Sequence, residues 1–336
     1  MTSWPSDSNA TLLPLVSVVI PCYNSARYLG ETIESALLQT YPQIEIIVVD
    51  DGSSDETACI ARSYGVHYIY QTNRGISAAR NTGITHSQGK YVLFLDHDDR
   101  LLHRAVETGV RLLEEHPECA LAVGEHVYIG ADGTAIGHSN KQAAGRDHYE
   151  MLLEHNFIET PCSALHRRSG LALTGVFDES VQGAEDHELY LRIARQSPWV
   201  AHETPVAEYR LHDSNTSRDA EQMLRVGYRV LEMELPYLQG DRRKLRAHRR
   251  GVRFVERRYG RQLTRELVGN GNLLTPESRR KLTLLREHYP VGFAAVLLSR
   301  LVPPKLLNLL LTSQAQLARR VEHARQVQRR ESLSLT

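Results

Sequence analysis

The chain has 336 residues, 41% hydrophobic and 24% charged, with 22 glycines and 13 prolines, which fits about two globular domains and excludes disordered, collagen-like and low-complexity classes. Its 40 basic and 40 acidic side chains cancel overall, but residues 1–240 carry 18 basic against 33 acidic and residues 241–336 carry 22 against 7, so the two parts have different electrostatic roles. Cys22, Cys59, Cys119 and Cys162 lack metal-finger spacing, which fits a reducing, cytoplasmic setting.

Residues 1–14 lack a basic segment followed by an apolar core, so they read as a short disordered lead and not as a secretory signal. Residues 16–21 (VSVVIP) predict a first buried strand, and apolar spacing from Tyr28 to Gln39 predicts a helix with Ser25 as its cap. Residues 44–50 predict the second strand. Ser53 and Glu56 resemble a capping box opening a helix through Tyr64, and residues 66–70 predict the third strand. A helix over 76–87, a fourth strand over 91–96 and a helix over 102–115 follow. Residues 120–129, turning at GADG, predict a hairpin. Strands alternating with helices give an α/β class with a mostly parallel sheet that becomes mixed at one edge. From about Ser217 the chain reads as Arg-rich helix. The expected domains are residues 15–216, with a nucleotide half to about 130 and an acceptor half over 131–216, followed by the helical region 217–336.

In an open parallel sheet, ligands bind where strands end, so polar residues at strand exits outrank those elsewhere. The first exit offers Pro21, Tyr23 and Asn24; the second offers Asp50 and Asp51; the fourth offers Asp96, Asp98 and Asp99. Two acidic clusters facing one cavity are costly unless a cation or hydrogen-bond donors compensate, and this many hard oxygens favours Mg²⁺ or Mn²⁺ over zinc. Taken alone, DDGSSD also reads as a turn with a helix cap, and FLDHDD as a solvated loop.

The segments SVVIPCYNSARYLGETIESALLQTYPQIEIIVVDDGSSDET, NRGISAARNTGI and YVLFLDHDD resemble the N-terminal half of glycosyltransferase family 2, over about residues 15–130. The resemblance implies a GT-A fold and a metal-dependent inverting transfer from a nucleoside-diphosphate sugar, most simply a UDP-sugar, to an acceptor hydroxyl in glycan or glycolipid synthesis. By position, Tyr23 and Asp51 match the residues that stack on and hydrogen-bond the base. Arg80 matches an arginine that approaches base and diphosphate. Asp96 and Asp98 match the DxD pair, with Asp98 the direct metal ligand and Asp99 a substitute. Asp186 in GAEDHELY matches the catalytic base, flanked by Glu185 and Glu188; without the resemblance, the same acids read as compensation of a helix dipole. His212 matches a histidine near the diphosphate and metal, and taken alone reads as a structural histidine.

The chain has no QxxRW motif and no run of spanning helices, which argues against a processive membrane-embedded synthase. Similarity fades over residues 137–174, including Thr160, Pro161 and Cys162, where family members shape the acceptor site. The acceptor therefore stays open between saccharide, lipid-linked and protein classes. A sugar nucleotidyltransferase would carry a Gly-rich phosphate loop where this chain has PCYNS. A non-catalytic nucleotide-sugar binder fits intact Asp96, Asp98 and Asp186 less well than an enzyme. The basic C-terminal segment, with its apolar stretch over 291–311, suggests peripheral contact with the inner face of an anionic membrane, against the alternative that it pairs with the acidic half. No nucleic-acid module is recognisable.

Overall fold

The protein is described by a computed structural model covering residues 13–139, 147–269 and 272–299. Nearly all of the expected lead over 1–14 therefore lies outside the described residues. The first half alternates strand and helix: β1 (Val16–Cys22), α1 (Leu29–Leu37), β2 (Ile44–Asp50), α2 (Thr57–Ser63), β3 (His67–Tyr70), α3 (Ile76–His86) and β4 (Tyr91–Phe94). Strand β1 is buried throughout and lies between β2 and β4 in parallel register, with Cys22 opposite Asp50 and Val16 opposite Tyr91. Side chains alternate across it, as strand geometry requires. Val18, Ile20 and Cys22 pack with Leu29, Ile33 and Ala36 of α1, whereas Val19 joins Val92 and Phe94 in the opposite layer. Helix α3 lies close against that second face, because a Cβ on Gly83 would collide with the Val19 side chain.

The next elements are β5 (Arg100–Leu101), α4 (Ala105–Glu115), β6 (Leu121–Gly130), β7 (Ala135–His138), α5 (His148–Glu154), β8 (Ala164–Arg167), α6 (Arg168–Thr174), α7 (Glu185–Gln196) and β9 (Trp199–Leu211). The sheet runs in the order β3-β2-β1-β4-β8-β6-β9-β5, with β7 paired to β6. Strand β8 is antiparallel to β4 and β6, while β6 and β9 are parallel, so the sheet becomes mixed on one side as the sequence predicts. The GADG hairpin closes through Gly130 N–H to the Thr134 carbonyl, 2.8 Å.

Two predicted caps are replaced. Helix α1 starts without a side-chain cap, and the Ser25 hydroxyl instead accepts the Tyr23 N–H at 3.0 Å. Ser53 accepts the Asn24 N–H at 2.9 Å, while α2 starts without a side-chain cap on its N-cap residue Glu56 and Asp55 before it accepts from Thr57 N–H and Ala26 N–H. Both serines are committed to the turns that shape the strand exits. The four cysteines are free thiols.

Helices α8 (Ala220–Glu234) and α9 (Arg242–Val255) follow, and Val226, Val230, Leu238 and Ala247 share a core with Leu189 and Tyr190 of α7. The compact unit built on the sheet thus extends to Phe254, past the point near Ser217 where the strand pattern ends. A second unit starts at Val255 and contains a π-helical turn (Glu256–Gly260), α10 (Arg261–Gly269), α11 (Pro276–His288) and α12 (Pro290–Leu298). Leu263, Leu267, Leu284, Leu285 and Val296 are buried within it. Thr275 caps α11 by accepting the Ser278 N–H, with Pro276 at the first helical position where its missing N–H costs nothing. The apolar stretch over 291–311 is α12 as far as residue 298, and its later part lies outside the described residues. No helix among the described residues is long and apolar enough to cross a membrane.

Candidate active site

The exits of β1 and β2 are stitched together by side chains. Asn24 adopts φ +49°, a left-handed conformation that asparagine tolerates better than most residues, and its Oδ1 accepts the Ser54 N–H at 2.9 Å. Tyr23 beside it is 52% exposed and presents its ring to solvent. Pro21 is buried within β1 opposite Val49 and offers no group to a ligand. The two aspartates of the second exit differ. Asp50 is buried and accepts from Ser53 N–H (2.8 Å) and the Tyr68 hydroxyl (2.7 Å), so it braces the turn and does not face the crevice as expected. Asp51 gathers the loop before α3: Oδ1 accepts from Gln71 Nε2 (2.7 Å) and Arg74 N–H (2.9 Å), and Oδ2 accepts from Gly75 N–H (2.7 Å).

At the β4 exit the three aspartates separate in the same way. Asp96 Oδ1 meets Arg80 Nη2 at 2.6 Å, and Arg80 Nη1 meets Glu185 Oε1 at 2.6 Å. Arg80 is 1% exposed, its guanidinium lies 5.1 Å from the Phe177 ring centre, and among the described residues its Nε has no hydrogen-bond partner. Arg80 is thereby placed as an internal tie between the β4 exit and the start of α7. Burial works against its charge, but Asp96 and Glu185 overcome this and raise its pKa. Burial likewise raises Asp96, despite Arg80. Glu185 is held as well by Gly183 N–H at 2.8 Å, so it acts as a structural anchor.

Asp98 Oδ2 pairs with His212 Nε2 at 2.7 Å, and His212 Nδ1 meets Ser214 Oγ at 2.9 Å. The His212 ring stacks on Tyr28 with centroids 5.4 Å apart. Burial opposes the Asp98 charge, yet the His212 hydrogen bond and the neighbouring His97 bring its pKa below the usual carboxylate range, so Asp98 is ionised. Asp99 is 1% exposed; Thr160 Oγ1 donates to it at 2.6 Å and Arg210 N–H at 2.9 Å. Burial, then Asp98 and Asp96, raise its pKa well above normal. Asp99 is thus turned inward with both oxygens engaged, whereas Asp98 is partly exposed. Among the described residues no three His, Cys, Asp or Glu side chains form a cage. The ionised Asp98 with His212 beside it nonetheless fits Mg²⁺ or Mn²⁺ held chiefly by substrate phosphates and water, the usual arrangement for such ions.

Asp186 opens α7 and is partly buried, and Asn156 Nδ2 donates to its Oδ2 at 3.0 Å. Burial and the adjacent Glu185, opposed by Arg80, raise its pKa to about 7. Glu188 turns away and pairs with Arg192 at 2.6 Å, so it is no partner of the base. Two residues escaped the sequence reading. Arg210, 1% exposed, donates to the Asp98 carbonyl (2.8 Å) and Glu31 (2.7 Å) and lies 4.5 Å over Tyr28; its position two residues before His212 was the available signal. Asn156 carried no local signal.

A central mixed sheet flanked by helices, with acidic residues at its strand exits, is the architecture of GT-A glycosyltransferases. Residues 17–173 match the family described as Glycosyl transferase family 2. An uncharacterized glycosyltransferase of Rickettsia typhi, RT0329, is 33% identical over 217 residues, covering 62% of this chain and 68% of that one. Chondroitin synthase of Escherichia coli is 32% identical over 219 residues, covering 62% of this chain and 31% of its own length, so the chain spans about a third of that relative. Among solved structures, Staphylococcus aureus TarS 1–349 in complex with UDP-GlcNAc superposes with a TM-score of 0.61 at 20% identity, covering 82% of this chain and 80% of that one. The mannosyltransferase PcManGT of Pyrobaculum calidifontis, in complex with GDP-Man and Mn²⁺, superposes with 0.54 at 17% identity, covering 84% and 87%. The chain belongs to glycosyltransferase family 2 and is a transferase of sugars.

Proposed function

We propose that the protein is a metal-dependent, inverting glycosyltransferase that takes a UDP-sugar as donor and a hydroxyl as acceptor. The observation that carries this reading is Asp186, a carboxylate with a pKa near 7 at the head of α7, in the same site as the ionised Asp98. A base with a pKa near the working pH accepts a hydroxyl proton efficiently. The acceptor oxygen attacks the anomeric carbon from the face opposite the diphosphate, its proton passes to Asp186, the sugar–phosphate bond breaks, and UDP leaves with the bonding pair. A bound Mg²⁺ or Mn²⁺ neutralises charge growing on the diphosphate. Asp98 and His212 are its proposed protein partners.

Donor recognition follows from the first two exits. A carboxylate has about four acceptor positions, and three are taken on Asp51, which leaves one on Oδ2 for the ring N–H of a uracil. The exposed Tyr23 ring supplies a flat stacking face. Tyr23→Ala is expected to weaken UDP binding by about 1–3 kcal/mol, roughly fivefold or more in Kd, measured by titration calorimetry; an unchanged Kd would remove Tyr23 from the base site. The function as a whole is tested by release of UDP from UDP-sugars: Mn²⁺-stimulated release that stops on chelation supports an enzyme, and tight binding without release at any pH indicates a binder only.

Supporting a membrane contact, residues 241–336 hold 22 basic and 7 acidic side chains, and Val291, Leu297 and Leu298 of α12 are exposed. The protein is expected to co-sediment with anionic but not neutral vesicles, less so at high salt, and not after deletion of residues 291–336. Recovery in the supernatant with every lipid would contradict this.

A further inference from the structure

Asp186 leaves the end of α5 facing it across the site, and that neighbour is fixed from both sides. His187, next to the base, has Nε2 2.8 Å from the Leu152 carbonyl of α5, which ties the two helices together. Past the end of α5, Asn156 Oδ1 accepts the Ile158 N–H at 3.2 Å. That bond settles which way the amide points: with its oxygen on the backbone, its NH₂ must face outward, and Nδ2 lies 3.0 Å from Asp186 Oδ2. Four residues on, Thr160 holds Asp99 at 2.6 Å, so one short segment anchors both the base and the aspartate loop after β4.

We infer that Asn156 is a positioning residue for the transfer, whose amide orients the Asp186 carboxylate and sets the pH at which that base becomes available. The inference rests on Asp186 being the base. An N–H donor favours the ionised carboxylate. The other charged or titratable groups around Asp186 are Glu185 and Tyr190 on its own helix, Arg80 of α3 and Asp96 after β4, together with His187 and the nearby His155. Burial, then Glu185 and Asp96, push the carboxyl towards its protonated form, while Arg80 and the His187 backbone N–H pull the other way. Among side chains of the segment after α5, the Asn156 amide is the donor that meets the carboxylate directly, and its bond to Oδ2 fixes the orientation of the group.

The test is the pH dependence of kcat/KM for UDP release by the full chain, compared among wild type, Asn156→Ala and Asn156→Asp, with melting curves as a fold control. The wild-type acid limb is expected near pH 7. Removing the donor in Asn156→Ala should move it up by about one to two pH units, with activity at pH 9 recovering most of the loss seen at pH 7 and UDP affinity unchanged. The nearly isosteric Asn156→Asp replaces the donor with a like charge and should move the limb further still. A limb that stays in place in folded Asn156→Asp, with rates lowered equally at all pH, would overturn the inference and leave Asn156 a merely structural residue. Full turnover in Asp186→Asn would instead remove the base assignment, and this inference with it.

Discussion

Asp186→Asn is expected to cut turnover by roughly 10²–10⁴, the range associated with general-base catalysis, while UDP binding stays at the wild-type level. The change is nearly isosteric and keeps an oxygen towards Asn156, so the site's shape survives while the proton acceptor is lost. The same substitution has an opposite effect on stability. The Asp186 carboxyl titrates near 3.8 unfolded and about 7 folded, so between those values the native state binds more protons, and this group makes wild-type stability fall as pH rises. Asp186→Asn removes that fall and should melt higher than wild type at pH 8, with the difference closing towards pH 4. Loss of activity together with a gain in stability distinguishes a catalytic group from a structural one. An unaltered rate would move the base elsewhere.

Asp98→Ala carries the second large effect. Asp98 is the one aspartate of the β4 exit that is ionised and partly exposed without an arginine partner; Asp96 is tied to Arg80 and Asp99 to Thr160 and Arg210. Stabilisation of the leaving diphosphate by a metal is worth several kcal/mol, so losing its protein ligand should lower Mn²⁺-stimulated UDP release by about 10²-fold or more. Chelation should then make little further difference. Asp99→Asn, by contrast, should destabilise the fold before it alters the response to Mn²⁺, because its oxygens hold Thr160 and the β9 backbone. If Asp98→Ala kept a normal response to Mn²⁺, the DxD assignment would fall.

The parallel half of the sheet was legible because β1, β2 and β4 are buried on both faces and appear in the sequence as unbroken apolar runs between helical periods. Strand β9 was not, since it lies between β6 and the two-residue β5 and accommodates Glu203, Pro205 and Glu208 within thirteen residues. The site divides along the same line. Strand exits picked out all five aspartates, but nothing local separates Asp50, Asp96 and Asp99 from Asp51 and Asp98. Their directions are set by partners brought in by the fold: Tyr68 for Asp50, Arg80 for Asp96, and Thr160 and Arg210 for Asp99. The tie of Arg80 to Glu185 is hidden in the sequence for the same reason, since it joins residues 105 positions apart. The cap at Ser53 failed because the hydroxyl that would close a capping box in an isolated helix is drawn to Asn24.

The central claim is a single displacement in which Asp186 takes the acceptor proton and the diphosphate leaves from the opposite face. It is tested most directly by the configuration of the sugar released. With an α-linked UDP-sugar, Mn²⁺ and water as the acceptor, proton NMR in the first minutes, before mutarotation, should show the β-anomer, and its appearance should stop in Asp186→Asn. Initial release of the α-anomer would contradict the account.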